Sequence, residues 1–163
     1  MSDHAQDVTL IVNGERVTRR VEPRQHLIDF LRHELELTGA HIGCEHGVCG
    51  ACTVRVDGEI VRGCLFLAVQ ADGCRVDTIE GLTESGELAD LQKAFVERNA
   101  LQCGFCTPGM LIASAALLAQ TPNASRADIR AYLSGNYCRC TGYHAIVDAV
   151  ETVARARGGM GRK

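Results

Sequence analysis

Apolar and polar residues alternate in short runs over the first half of the chain and recur at helical spacing over the second. Val8 to Val12 is a short apolar run ending in Asn13-Gly14, the strongest two-residue hairpin signal, and Arg16 to Val21 returns from it. Pro23 interrupts the pattern, after which Leu27, Ile28, Leu31 and Leu35, with Phe30 beside them, fall at helical spacing. Gly39 to Cys52 reads as a loop. Thr53 to Val56, Asp57-Gly58 and Glu59 to Val61 form a second hairpin, and Arg75 to Ile79 reads as a closing strand. Two hairpins, one crossing helix and a closing strand predict a small mixed sheet with the helix across it, an α+β arrangement.

The pattern changes near Glu80. GLTESGE is polar and contains glycine, as a linker would. Beyond it Leu88, Leu91 and Phe95, with Val96 beside them, line one helical face. Thr107-Pro108 reads as an N-cap and first-turn proline ahead of Met110 to Ala119, which is apolar nearly all round and so belongs in a core. Thr121-Pro122 ends that helix. Ser125 with Asp128 has the form of a capping box before Ile129, Tyr132 and Leu133, and Gly135 closes the segment. Thr141 is placed to cap a last helix carrying Tyr143, Ile146, Val147, Val150 and Val153 on one stripe. These spacings predict a sheet domain over 1–80, a linker over 81–87, a bundle of four helices over 88–157 and a disordered basic tail over 158–163.

Composition narrows the function classes. The 163 residues are 46% hydrophobic and 23% charged, as in an ordinary soluble globular chain. A net charge of −3, no basic stripe, 4% aromatics and no Trp argue against nucleic acid as a partner. No apolar run approaches the ~20 residues that cross a bilayer, so no membrane span is expected. The start lacks a charged segment followed by an apolar one, and the stretch after Arg19-Arg20 is too polar for an export signal. A cytoplasmic location is the expectation.

In that compartment the nine cysteines, an odd number, are poor disulfide candidates and better metal ligands. Cys44-x4-Cys49-x2-Cys52 with Cys64 beyond has the plant-type ferredoxin spacing for a 2Fe–2S cluster. Gly43, Gly47 and Gly50 let the loop backbone approach the sulfurs. Structural zinc prefers two C-x2–4-C pairs, whereas here three cysteines share one loop and Cys64 stands apart. Cys103-x2-Cys106 with Cys138-x-Cys140 is less specific, and on spacing alone zinc stays open. Each pair ends in Cys-Thr, Cys106-Thr107 and Cys140-Thr141, which would aim two helix N-termini at one anionic site. Cys74 is left over as a small half-buried hydrophobe near a strand. His46 lies inside the first loop, but four cysteines already suffice there, so its ring is not needed as a ligand. No nucleophile–base pair and no phosphate-binding glycine motif is recognisable, so no catalytic residue is assigned. Halves this small draw part of their stability from bound metal.

The strings GCEHGVCGACTV (Gly43 to Val54), LQCGFCTPGM (Leu101 to Met110) and NYCRCTGY (Asn136 to Tyr143), in this order, closely resemble the small iron–sulfur subunit of the molybdenum hydroxylases. That family includes xanthine dehydrogenase, aldehyde oxidoreductase and aerobic carbon monoxide dehydrogenase. The resemblance implies a plant-type ferredoxin-like β-grasp domain followed by a four-helix domain, each holding one 2Fe–2S cluster. It implies partners too: a large subunit with molybdenum on molybdopterin, in its cytosine dinucleotide form, and a medium subunit with FAD, in a dimer of heterotrimers. Electrons would pass from molybdenum to the Cys103/Cys106/Cys138/Cys140 cluster, then to the Cys44/Cys49/Cys52/Cys64 cluster, then to flavin. Gln102 and Cys140 occupy the positions that meet the pterin in relatives. The competing readings are a free-standing two-cluster ferredoxin and a zinc-stabilised interaction module.

Overall fold

The computed structural model describes residues 4–160. The first half forms a five-stranded sheet in the order β2-β1-β5-β3-β4. Strand β1 (Gln6–Val12) pairs antiparallel with β2 (Glu15–Val21), with Val12 opposite Glu15 across the expected turn. Asn13 and Gly14 take φ of 51° and 87° there, as a two-residue hairpin of this twist requires. The second hairpin, β3 (Thr53–Val56) and β4 (Glu59–Arg62), repeats that geometry at Asp57 and Gly58. Strand β5 (Arg75–Asp77) lies between the hairpins, parallel to β1 and antiparallel to β3.

Alternate residues Val8, Leu10 and Val12 of β1 are buried, and the crossing segment places Leu27, Ile28, Phe30 and Leu31 over them. That segment is a single turn of α-helix, α1 (Leu27–Asp29), widening into a π turn over Phe30–Glu34. The closing strand ends at Asp77, two residues earlier than the apolar pattern suggested. Asn13 explains the stop: its Oδ1 accepts the Thr78 N–H at 2.9 Å and its Nδ2 donates to Thr78 Oγ1 at 3.0 Å, so the turn takes up that N–H.

A second core lies beyond this point, built from α2 (Ile79–Glu84), α3 (Ala89–Glu97), α4 (Thr107–Gln120), α5 (Arg126–Leu133) and α6 (His144–Met160). The polar stretch expected as a linker over 81–87 is thus largely helical. Ile79 and Leu82 are buried in the helical core, which supplies the fixing that a polar sequence lacks by itself. Val96 is 68% exposed, because Leu91, Ala94 and Phe95 fill the inner face of α3. Ser125 and Asp128 make the expected capping box. Neither threonine caps as expected. Thr107 is already the first helical residue of α4, and α6 starts only at His144, beyond Thr141. The tail expected to be disordered from residue 158 is helical as far as Met160, and residues 161–163 lie outside the described residues. Arg157 anchors the end of α6, donating from Nε and Nη2 to the two carboxylate oxygens of Asp90 on α3, each at 2.8 Å.

The two cores meet where α4 packs on β3 and β4. Contact there is backbone to backbone: a Cβ added at Gly109 on α4 would sit 2.3 Å from the Gly50 carbonyl oxygen. Arg55 on β3 adds a bridge, donating to Asp77 and, through both Nη atoms, to Glu87 in the turn between α2 and α3.

Two tests follow from these contacts. Gly109→Ala forces apart two stretches of backbone that have no flexible side chain between them, and should cost about 1–3 kcal/mol in chemical denaturation. Hydrogen bonding from Arg157, only partly opposed by burial, holds the Asp90 carboxyl below the usual carboxylate range. A depressed carboxylate stabilises the fold above its unfolded pKa of about 3.9 and ceases to do so as pH falls through its lower folded value. The pair is half exposed, so Asp90→Asn should cost about 0.5–1 kcal/mol at neutral pH. Denaturation midpoints of the two proteins should converge in acid.

Candidate metal centres

The eight cysteines that the sequence singles out come together as two quartets. In the first, Cys44 lies against Cys49, and Cys52 lies against Cys64 with Cys49 close by. The Cys44–Cys52 loop runs into β3, whereas Cys64 follows β4; the Gly63 N–H donates to the Cys52 carbonyl at 3.1 Å and returns Cys64 to the loop. In the second, Cys106 lies against Cys138, and the Cys140 and Cys103 sulfurs are 3.5 Å apart. Cys103 and Cys106 lie in the segment leading into α4, and Cys138 and Cys140 occupy the turn between α5 and α6.

The environments of the thiols differ. Main-chain N–H groups of Cys49 and His46 donate to Cys44 Sγ at 3.4 and 3.3 Å and bring its pKa down to about 6. Burial pushes Cys52 up to about 11 and Cys106 up to about 12. Cys138 is opposed by burial as well, yet ends below the ordinary thiol value. The Thr141 hydroxyl lies 3.1 Å from its sulfur and the Thr141 N–H donates to it at 3.5 Å. Cys140 is raised, chiefly by its hydrogen bond with Cys103.

These residues fit a pair of binuclear clusters. Each cluster needs two sulfurs on each of two irons and N–H donors aimed at the sulfurs, and both quartets supply sulfurs in pairs and such donors. A side chain at Gly43 would come within 3.0 Å of Cys49 Sγ, so only glycine leaves the sulfur side of the loop clear. Beside Cys106 the Thr107 hydroxyl is buried without a partner among the protein atoms, a donor that an inorganic sulfide would satisfy.

Other expectations have definite places. Gln102 is exposed beside exposed Cys103 and Cys140. His46 contributes its main-chain N–H to Cys44, while its ring turns back to the Cys44 carbonyl. Cys74 belongs to neither quartet and packs half-buried against the sheet core.

Several contributors were not foreseen. Tyr143, assigned to the apolar stripe of the last helix, accepts the Cys138 N–H on its hydroxyl at 2.9 Å. His41 stacks on Phe105 with centroids 4.6 Å apart, and its Nδ1 lies 2.9 Å from the Phe105 carbonyl oxygen. Asn136, 3% exposed, donates to the Gly50 carbonyl, and Arg62 reaches Asn136 and Gly135 from β4. The position of Asn136 and Tyr143 at the ends of NYCRCTGY is a usable signal, whereas nothing near Arg62 in sequence marks it.

Two families match the chain, the 2Fe-2S iron-sulfur cluster binding domain over residues 10–106 and the 2Fe-2S binding domain over residues 78–151. The chain is 51% identical over 157 residues to the caffeine dehydrogenase subunit gamma of Pseudomonas sp. (strain CBB1), covering 94% of this chain and 93% of that one. It is 50% identical over 144 residues to the nicotine 6-hydroxylase small subunit of Paenarthrobacter nicotinovorans, covering 88% and 87% respectively. The crystal structure of quinoline 2-oxidoreductase from Pseudomonas putida 86 matches with a TM-score of 0.89 and 48% identity, over 96% of this chain and 98% of that one.

The Thr141 hydroxyl at Cys138 makes a direct test of the second quartet. A hydrogen bond to sulfur favours the more negative, reduced state of a cluster. Thr141→Val should therefore lower the midpoint potential of that cluster in a redox titration followed by electron paramagnetic resonance, while Thr141→Ser leaves it near the parent value.

Proposed function

The chain belongs to the small iron–sulfur subunits of the molybdenum hydroxylase family, and from that premise we propose that its eight paired thiols carry electrons between two larger partner subunits. The observation that carries the reading is the gathering of both quartets from separated segments, each with its sulfurs in pairs. Cys44, Cys49, Cys52 and Cys64 would hold one 2Fe–2S cluster, and Cys103, Cys106, Cys138 and Cys140 the other. When bound, each cluster takes up and releases one electron, so that a pair taken from substrate can be passed on singly. The residues of this chain would hold the irons, with N–H and hydroxyl donors aimed at the sulfurs and burial keeping water from the deeper ones. None of them touches substrate.

The division of labour follows the two halves. The sheet half is read as a ferredoxin-like β-grasp domain, with the chain dividing near residue 80. The helical half is read as a domain of four main helices, to which the short α2 is an addition. Cys103 and Cys140 are exposed, with Gln102, Leu101 and Tyr137 on the same two loops, whereas Cys52 and Cys64 are buried. That exposure suits an approach of the molybdopterin of a large subunit, with Gln102 and Cys140 meeting it. At the first quartet Val48 and Leu65 are 49% and 62% exposed and form an apolar rim suited to a medium, FAD-binding subunit. On this reading the whole is a dimer of heterotrimers in the cytoplasm, its pterin carried as the cytosine dinucleotide, and the oxidised substrate is chosen by the large subunit.

A freely diffusing two-cluster ferredoxin is the weaker reading. Such a carrier gains from a strong charge field that steers encounter, and this chain has a net charge of only −3. The relatives that share 51% and 50% identity with it are named as subunits.

Purified under nitrogen, the protein should contain about four iron and four sulfide per chain. Cys106→Ser should remove one of two paramagnetic signals and block reduction of flavin by substrate in the assembled complex. Zinc in place of iron, or full flavin reduction by the variant, would defeat the assignment.

A further inference from the structure

The two quartets are not merely near each other. Their ligand loops share a hydrogen bond: the Tyr137 N–H donates to the Cys49 carbonyl at 2.8 Å. Cys49 belongs to the first quartet, and Tyr137 is covalently joined to Cys138 of the second. A route from sulfur to sulfur therefore runs through covalent bonds interrupted by one hydrogen bond. A second contact exists through Phe105, the neighbour of Cys106, whose ring stacks on His41 and whose edge lies 3.4 Å from where a Gly43 Cβ would be. The Phe105 carbonyl oxygen also lies 2.9 Å from His41 Nδ1, so this route too contains a hydrogen bond, but it reaches Cys44 only through a longer covalent run by way of Ile42 and Gly43.

The hydrogen bond is held from one side by Asn136. Its Nδ2 donates to the Gly50 carbonyl at 3.2 Å, next to the Cys49 carbonyl that Tyr137 uses. Its Oδ1 accepts from Arg62 Nη2 at 3.2 Å, and the same nitrogen donates to the Gly135 carbonyl at 2.7 Å. Gly50 has a φ of +73°, and an added Cβ there would sit 2.6 Å from Asn136 Nδ2. A buried amide with both ends engaged, wedged where glycine alone fits, fixes two loops against each other.

We infer that Asn136 is a positioning residue for electron transfer between the two clusters: it seats the Cys138 loop on the Cys49 loop so that the Tyr137 N–H meets the Cys49 carbonyl. The inference rests on the two-cluster reading above. The step it serves moves one electron from the reduced centre of the helical half to the oxidised centre of the sheet half. No bond forms or breaks, and no proton is transferred. The reductant is the molybdenum subunit in the complex, or dithionite in the experiment.

Three variants of the assembled complex decide it. Asn136→Ala removes both ends of the wedge, Asn136→Asp keeps the acceptor for Arg62 but loses the donor to Gly50, and Phe105→Leu removes the aromatic contact. Each is reduced fully with dithionite, and the splitting that each cluster's unpaired spin imposes on the other's resonance is recorded at low temperature. Rapid freezing after mixing with substrate gives the order in which the two signals appear. Both Asn136 variants should keep two separate signals at parental g values while losing the splitting, and the sheet-half signal should lag. Phe105→Leu should behave as parent. Parental splitting and timing in an iron-replete Asn136 variant overturn the inference, as does loss of both in Phe105→Leu alone. Should Asn136→Ala not accumulate, the smaller change in Asn136→Asp supplies the same comparison. Iron and sulfide assays on the parent protein separate this result from failure of the two-cluster reading, which would show there first.

Discussion

The close approach of α4 to the loop before β3 governs the rest of the structure. Gly109 sits so near the Gly50 carbonyl that no side chain fits between them, and Asn136 fills the remaining space with a hydrogen-bonded amide. Two small cores that would otherwise be beads on a string are thereby held in one register. The same approach brings the Cys44–Cys52 loop against the Cys138–Cys140 turn. Interior packing resists continuous deformation, so a seam of this kind sets a spacing instead of a range of spacings.

Around that seam the thiols face opposing demands. A metal ligand must be a thiolate, and burial disfavours the charged form. The chain answers with local donors where it can, the N–H groups at Cys44 and the Thr141 hydroxyl and N–H at Cys138. Cys52 and Cys106 lie deeper, and their thiols resist ionisation without a cation beside them. Each quartet thus joins sulfurs predisposed to bind metal with sulfurs that metal itself must ionise. Burial of the same sulfurs would also keep water away from a bound cluster.

Much of this was legible in the residues. Period-two alternation, Asn-Gly and Asp-Gly turns and helical periodicity gave the sheet and the main helices, because each signal is set by interactions a few residues long. The misreadings have a common cause. Thr107 and Thr141 carry N-cap chemistry, but α4 already starts at Thr107, one residue earlier than such a cap implies, and α6 starts at His144, two residues later than one. Thr141 instead turns its hydroxyl to a sulfur, a use only the folded loop reveals. Residues 81–84 look like a linker until Ile79 and Leu82 find a core to enter. The end of α6 looks mobile until Asp90 meets Arg157 across the bundle.

The sequence by itself singled out the eight cysteines proposed to hold metal, since cysteine spacing and the glycines around it are local properties that survive without knowledge of the fold. It determined the family on the same ground. How the sulfurs pair, which of them face solvent and how one quartet is joined to the other were decided by tertiary structure. Cys49 and Tyr137, like Gly50 and Asn136, are far apart in the chain, and no local rule connects them. They meet because two cores pack through backbone, and such a contact leaves only two glycines and an asparagine as its trace in the residues.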